Sequence, residues 1–217
     1  MLVADVAAPV LDDGALHHLA RARRLRPGDA VTVSDGAGRW RPARFRGGAG
    51  LEPDGDVVVL DRPTPELTVA FALTKGDKPE LVVQKLTELG IDRIVPFRAA
   101  RSVVRWDDDR AARQQARLEA VARAACEQSH RCWAPVVEPV TDVADLAVRG
   151  AVRLERGPVE LTLARPVVAV GPEGGWTDEE RAQLAASSGL GPHVLRAETA
   201  AITAGALLGA MRSGWVG

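Results

Sequence analysis

Val167-Val168-Ala169-Val170-Gly171-Pro172-Glu173-Gly174-Gly175-Trp176-Thr177 is the stretch on which the reading of this chain turns. A short apolar run rich in valine suits a buried strand, and the glycines after it suit a turn at the strand's carboxyl end. Thr177 with Glu180 forms a capping box, in which each side chain satisfies a backbone N–H left orphaned at a helix start. A second strand-like run, His193-Val194-Leu195, leads through Arg196, Ala197, Glu198 and Thr199 into a helix rich in Ala, Gly and Thr. Two loops at the carboxyl ends of neighbouring strands form one crevice, the usual ligand position in open α/β sheets.

The glycines permit positive φ and let a ligand approach backbone amides, so a phosphate cradle is one reading. The chain has no Gly-x-x-x-x-Gly-Lys-Ser/Thr and no Gly-x-Gly-x-x-Gly, and Glu173 would repel a pyrophosphate. A neutral or cationic ligand suits this loop better. The plain alternative is a strand-to-helix turn that needs glycine only for its backbone angles.

Upstream of this stretch, from Leu67 onward, strands alternate with helical patterns, which argues for a parallel sheet. Residues 67–74 read as a buried strand and 78–89 as a helix, with Pro79 near its start, Val82, Leu86 and Leu89 on one face and Gly90 as its stop. Residues 91–97 form the next strand, and Asp107 to Asp109 put negative charge at the start of a helix that reaches about Ser129. A strand at 136–138, a helix at 142–148 and a strand at 151–154 follow. In the last helix Ala201, Gly205 and Gly209 recur at four-residue spacing, a smooth face for another backbone within the domain or across a dimer.

The first 66 residues have another texture. Residues 15–24 read as a short helix with Leu16 and Leu19 inward and Arg21, Arg23 and Arg24 outward; His17 and His18 sit at its start. Strands are expected at 30–34, 39–46 and 57–60, separated by Gly- and Asp-rich turns, with Pro63 and Pro65 marking a linker. Short strands of this kind suggest a small barrel, a shape often used to hold RNA. Residues 17–50 hold eight Arg, no Lys or Glu, and only Asp29 and Asp35. Arg39, Arg41 and Arg44, with Trp40 and Phe45 interleaved, suit phosphate contacts and stacking faces. A solvated arginine face over an apolar side is the competing reading.

That local charge matters because the net charge of -1 excludes any argument from global basicity. Lys75, Lys78 and Lys85 are the only lysines, and they cluster on one loop and the helix after it, as a nucleic-acid contact or a solvated helix face. Cys126 and Cys132 are too few for a metal site or a disulfide framework and read as free thiols. Asp5 stands where a signal peptide needs a cationic start, and the longest apolar helix, 200–211, is too short to span a bilayer. The expectation is a cytoplasmic protein.

Gly171-Pro172-Glu173-Gly174-Gly175 followed by Leu195-Arg196-Ala197-Glu198-Thr199-Ala200 resembles the carboxy-terminal half of the RsmE family, SPOUT-class methyltransferases that modify the imide nitrogen of a uridine in small-subunit ribosomal RNA. Lys75-Gly76-Asp77-Lys78, Gln84-Lys85-Leu86-Thr87-Glu88-Leu89-Gly90 and Ala124-Ala125-Cys126-Glu127-Gln128 with Arg131 match the same pattern. So do His17-His18-Leu19, Arg24-Leu25-Arg26-Pro27-Gly28-Asp29 and Asp35-Gly36, which resemble the family's PUA-like amino-terminal domain. The resemblance covers nearly the whole chain, with two departures. Leu154, Glu155 and Arg156 replace a His-Pro pair in the first cofactor loop, so that loop's contacts are not carried over. His193 stands where the family has Arg, and a mostly neutral imidazole makes a weaker phosphate or base contact.

The resemblance implies an α/β SPOUT domain over 67–217, with a mostly parallel sheet and a C-terminal trefoil knot, after a PUA-like RNA-binding β-barrel over 1–66. Knots are so rare that periodicity alone would not suggest one. It implies S-adenosylmethionine as cofactor and no metal, held by Gly171, Pro172, Glu173, Gly174, Gly175, Leu190, Gly191, Leu195, Thr199 and Ala200. Arg196 and Glu198 are the candidate catalytic residues, and Arg21, Arg23, Arg24, Arg39, Arg41, Lys75 and Lys78 the candidate RNA contacts. A homodimer acting on 16S rRNA in the small ribosomal subunit completes the expectation. Three alternatives stay open: a related methyltransferase with another RNA target, a non-catalytic RNA-binding module, and a nucleotide-phosphate enzyme, the last disfavoured by the missing phosphate motifs.

Overall fold

The structure, a computed structural model, describes residues 1–11, 25–104 and 106–216. The helix expected at 15–24, with Arg21, Arg23 and Arg24, lies outside the described residues. The chain divides into two compact units, Met1–Arg62 with Cys126–Ala134, and Pro63–Ala125 with Pro135–Gly217.

In the first unit β1 (Ala30–Ser34), β2 (Arg39–Phe45) and β3 (Leu51–Pro53) form an antiparallel sheet, with β4 (Val58–Val59) also paired to β2. The turn between β1 and β2 is built by Asp35, whose carboxylate accepts from the amides of Ala37 and Arg39 at 2.8 and 3.0 Å. Gly38 is required there: its φ is +92°, and a Cβ would lie 2.4 Å from the Trp133 ring. Val3, Val6, Val33 and Ala43 form the small core. Cys126 and Cys132 are free thiols, and burial raises the pKa of both.

The second unit carries a parallel sheet of β5 (Thr68–Ala72), β6 (Arg93–Arg98), β7 (Val136–Val137), β8 (Thr141–Asp142), β9 (Val152–Glu155), β10 (Val167–Val170) and β11 (Ser187–Gly189). Its order is β11-β9-β10-β5-β6-β7, with β8 also beside β6, and every pairing is parallel. All carboxyl ends therefore emerge along one edge. β5 is buried at every position, which is why it reads as a continuous apolar run rather than an alternating one.

The described residues also form five α-helices, α1 (Lys78–Glu88), α2 (Asp108–Gln128), α3 (Val143–Val148), α4 (Asp178–Gln183) and α5 (Ala197–Arg212), and a short 3-10 turn at Gly47–Ala49. Gly90, at φ +86°, stops α1, and the Asp107 carboxylate accepts from the Arg110 amide at 2.8 Å at the start of α2. The smooth face of α5 is used inside the unit, against α1 and its end. A Cβ at Gly205 would lie 2.5 Å from Leu86 Cδ2, and one at Gly209 2.7 Å from the Leu89 carbonyl. The far end of α5 is locked by Arg212, whose guanidinium pairs with the buried Asp92 and donates to the Pro65 carbonyl at 3.2 Å.

Two expectations need correction. His193, Val194 and Leu195 are not a strand; the strand before the last helix is β11, Ser187–Gly189. Pro192 supplies no ladder donor, and Val194 is 82% exposed, so this apolar residue has no sheet face to cover. Phe45 offers no stacking face, because it is 2% exposed. No helix among the described residues is long and apolar enough to cross a membrane.

Candidate functional site at the carboxyl edge of the parallel sheet

Each loop of the crevice owes its shape to contacts that only its own residues permit. Gly171 follows β10 directly, and a Cβ there would come within 2.7 Å of the Trp176 ring. That ring is buried, stacks on Phe97 with centroids 5.8 Å apart, and donates through Nε1 to the Leu154 carbonyl at 3.3 Å. Gly175, at φ +72°, closes the turn by donating its amide to the Pro172 carbonyl at 2.9 Å. The expected capping box is present: Thr177 Oγ1 accepts from the Glu180 amide at 3.2 Å, and Glu180 Oε2 from the Thr177 amide at 2.8 Å. The second oxygen of Glu180 accepts from the Ala100 amide at 2.7 Å, so the same side chain ties α4 to the segment after β6.

The second loop is held by a still closer approach. Gly157 and Gly191 exchange amide-to-carbonyl hydrogen bonds at 3.0 Å, and the Gly189 amide donates to the Pro158 carbonyl at 2.8 Å. A Cβ at Gly189 would lie 2.1 Å from Gly157 backbone atoms, a distance no other residue can accept. The Leu190 amide donates to the Glu155 carbonyl at 3.1 Å. Three strand ends, those of β9, β10 and β11, are thereby held around one cavity of about 380 Å3.

Its walls are largely apolar, from Leu154, Val170, Trp176, Leu190, Leu195 and Ala200. Charge is confined to Glu155, Arg156, Glu173 and Arg181, with His193 beside them. Glu155 is paired with Arg181 and also lies 3.2 Å from Arg153 Nε. An apolar cavity of this size with few placed polar groups suits a small organic ligand. Beside Gly175 and Gly191 there is open space where a Cβ would stand, so a ligand can approach the backbone at both.

Of the residues expected to hold the cofactor, Gly171, Pro172, Glu173, Gly175, Leu190, Leu195 and Ala200 line this cavity. Gly174, Gly191 and Thr199 do not; Gly174 instead packs against Arg101, which donates to its carbonyl at 3.1 Å. Trp176 and Arg181 were not anticipated, although the tryptophan follows the glycine pair directly and an aromatic there was a readable signal. Leu154, Glu155 and Arg156, set aside as departures from the family pattern, stand on the wall.

Glu198, in the first turn of α5, is 13% exposed and does not line the cavity, although its neighbour Ala197 does. Lys78 Nζ lies 3.4 Å from Glu198 Oε2 and 3.3 Å from Glu173 Oε1. One ammonium thus joins the two loops. Desolvation is the largest single influence on it and pulls its pKa down, but the two carboxylates together outweigh that and the pKa is raised. Arg196 is exposed at the N-cap of α5 and makes no side-chain capping bond. Lys75 and Arg39 are exposed, whereas Arg41 spends its guanidinium on the carbonyls of Val6, Ala7 and Gly55.

Comparison with known proteins agrees with this geometry. Residues 61–209 match the RNA methyltransferase domain family and residues 11–47 its companion RNA methyltransferase PUA domain. The chain is 33% identical to the ribosomal RNA small subunit methyltransferase E of Mycobacterium tuberculosis, over 96% of this chain and 88% of the relative. It is 29% identical to the protein of the same name from Bacillus subtilis, over 87% and 84%. The crystal structure of ribosomal RNA small subunit methyltransferase E from Neisseria gonorrhoeae bound to S-adenosyl methionine superposes with a TM-score of 0.78 at 28% identity, covering 94% of this chain and 91% of that one.

Proposed function

The chain belongs to the ribosomal RNA small subunit methyltransferase E family and is an S-adenosylmethionine-dependent rRNA methyltransferase, and we propose that it methylates N3 of a uridine in 16S rRNA within the small ribosomal subunit. The observation that carries this reading is the apolar cavity enclosed by two glycine-dependent loops, with Glu173 on its wall. A carboxylate on an apolar wall suits a sulfonium cation. Bound there, S-adenosylmethionine supplies an electrophilic methyl group.

The chain's own residues have the remaining tasks. The N3–H of uracil is a weak acid, and its proton must leave as the methyl group arrives. Glu198, beside the cavity-lining Ala197, accepts that proton through a carboxylate oxygen; its Oε2 lies 3.4 Å from Lys78 Nζ. Lys78 lies between Glu198 and Glu173 and fixes their relative positions. Arg196 lies at the mouth of the helix and stabilises negative charge spread onto the uracil carbonyls. Arg39 and Lys75 contact RNA phosphates, as do Arg21, Arg23 and Arg24.

The active form is a cytoplasmic homodimer, in keeping with the exposed Val194 and Trp215 of the second unit, each 82% accessible. We further propose that the carboxy-terminal segment forms the trefoil knot that the family resemblance implies. The test is methyl transfer to small subunits lacking the modification, followed by mass spectrometry of the nucleosides. N3-methyluridine is the expected product, and Glu198→Gln forms it at least about a hundredfold more slowly. Methylation of a ribose hydroxyl or of another base would contradict the assignment.

A further inference from the structure

A second cavity, of about 300 Å3, opens between the turn after β5 and the first turns of α2. Lys75, Asp77 and Glu80 line one side, Trp106, Arg110 and Gln114 the other, and Thr74 its floor. Of these, only Lys75 and Asp77 belong to a stretch that the sequence motifs single out. Two of its polar atoms have no partner. Thr74 is 4% exposed, and its hydroxyl makes no hydrogen bond. Glu80 uses Oε1 to accept from Arg117 Nε at 2.8 Å, while its Oε2 is buried without a donor.

Buried polar atoms without partners are costly, on the order of 1–3 kcal/mol each, so two in one pocket point to a ligand that satisfies them. An unpaired carboxylate oxygen asks for an N–H donor. A hydroxyl either gives or takes. At the mouth Lys75 and Arg110 are both exposed cations, and the amino end of α1 adds its positive dipole. The pocket therefore combines donors for an anion at its rim with an acceptor for an N–H group at its floor, beside the partly exposed amide of Gln114.

We propose that this pocket holds one unstacked nucleotide of the RNA substrate, its phosphate on Lys75 and Arg110 and a Watson–Crick edge N–H on Glu80, with Thr74 completing the contact. The inference rests on RNA being the substrate of this chain. The pocket and the methyl-transfer crevice share a sheet edge: Thr74 follows β5 as Gly171 follows β10, and these two strands are neighbours. A nucleotide seated here anchors the strand while its neighbour is presented to the crevice. Sequence-selective RNA recognition commonly works through splayed bases read on their Watson–Crick edges.

The test is fluorescence anisotropy of a labelled single-stranded 16S rRNA fragment with the full chain, in the absence of S-adenosylmethionine. Lys75→Ala with Arg110→Ala lowers affinity about tenfold and reduces the salt-dependence slope by about 0.7, because both cations serve one phosphate of a single strand. Thr74→Val lowers affinity about threefold, yet leaves the fold as stable or more so, because it removes a buried unpaired hydroxyl without changing the shape. A purely structural Thr74 would do the reverse. S-adenosylmethionine affinity, read separately by calorimetry, stays within about twofold for every variant. Unchanged RNA affinity and salt slope in the double variant would overturn the pocket assignment. Wild-type protein that binds RNA through these residues but no S-adenosylmethionine would overturn the methyltransferase reading and leave the pocket standing.

Discussion

The arginines of β2 and the glycines of the crevice are the two most conspicuous patterns in the chain, and the structure treats them in opposite ways. Within β2, similar residues have dissimilar fates. Arg41 is consumed by three carbonyls, Arg44 bridges to Asp54 at 2.8 Å and donates to the Gly28 carbonyl, while Arg39 stays exposed. The glycines are specified one by one. At Gly171 and Gly189 a Cβ collides with a ring or a backbone, and at Gly175 φ is positive. A charge run says that a surface is polar without saying which charges are free. A glycine at a collision point says what it is for.

Breaking the second unit should have the largest effect. Arg212→Ala removes the cation from Asp92, a carboxylate only 2% exposed. Loss of one partner of a buried pair costs about 3–5 kcal/mol. Thermal unfolding should then fall by roughly 6–20 °C, and a shift under about 2 °C would contradict the role given to this pair.

Gly189→Ala comes next, at about 3 kcal/mol, because the added methyl must displace the Gly157 backbone. It should also weaken S-adenosylmethionine binding, since the displaced segment adjoins the cavity wall at Glu155 and Arg156. A variant with normal affinity by calorimetry would separate the close approach from the site.

A smaller effect is expected from acid. Glu138, 8% exposed, has its pKa lowered first by the Arg149 hydrogen bonds at 2.8 and 2.7 Å, against desolvation, and then by Arg93. A depressed folded-state pKa means the stabilisation is fully present above the ordinary value of 4.5 and is lost as pH falls below it. Glu138→Gln should flatten the stability curve in that acid window. An equally steep acid limb in the variant would assign it to other carboxylates.

The smallest predicted change sharpens the comparison most. Arg39→Ala should lower the salt slope of RNA binding by about 1 without altering stability, and Arg41→Ala should lower stability and leave the slope unchanged. The same result from both would mean that the carbonyl contacts of Arg41 do not decide its use.

Much of the second unit was legible because its signals are local. The buried run of β5, the Gly90 stop, the capping box of Thr177 and Glu180 and the helix face of α5 each follow from spacing or from one side chain meeting its own backbone. The irregular path of residues 190–196 was not legible, because His193, Val194 and Leu195 have strand-like composition but no neighbouring strand to pair with. The place of Lys78 between Glu173 and Glu198 was equally hidden, since those residues are joined only when β5 and β10 lie side by side. Glu155 and Arg156 looked like departures from a pattern. Their position on the cavity wall follows from the end of β9, whatever side chains stand there.

The central claim is that the crevice between the Gly171–Gly175 turn and the loop after β11 binds S-adenosylmethionine. Isothermal titration of the wild-type chain and of Gly175→Val tests it most directly, because valine would fill the space beside that glycine and resist its φ of +72°. Saturable one-site binding to wild type, with affinity reduced at least about tenfold in a folded variant, is the predicted result. No binding to wild type, or equal binding to both, would contradict it.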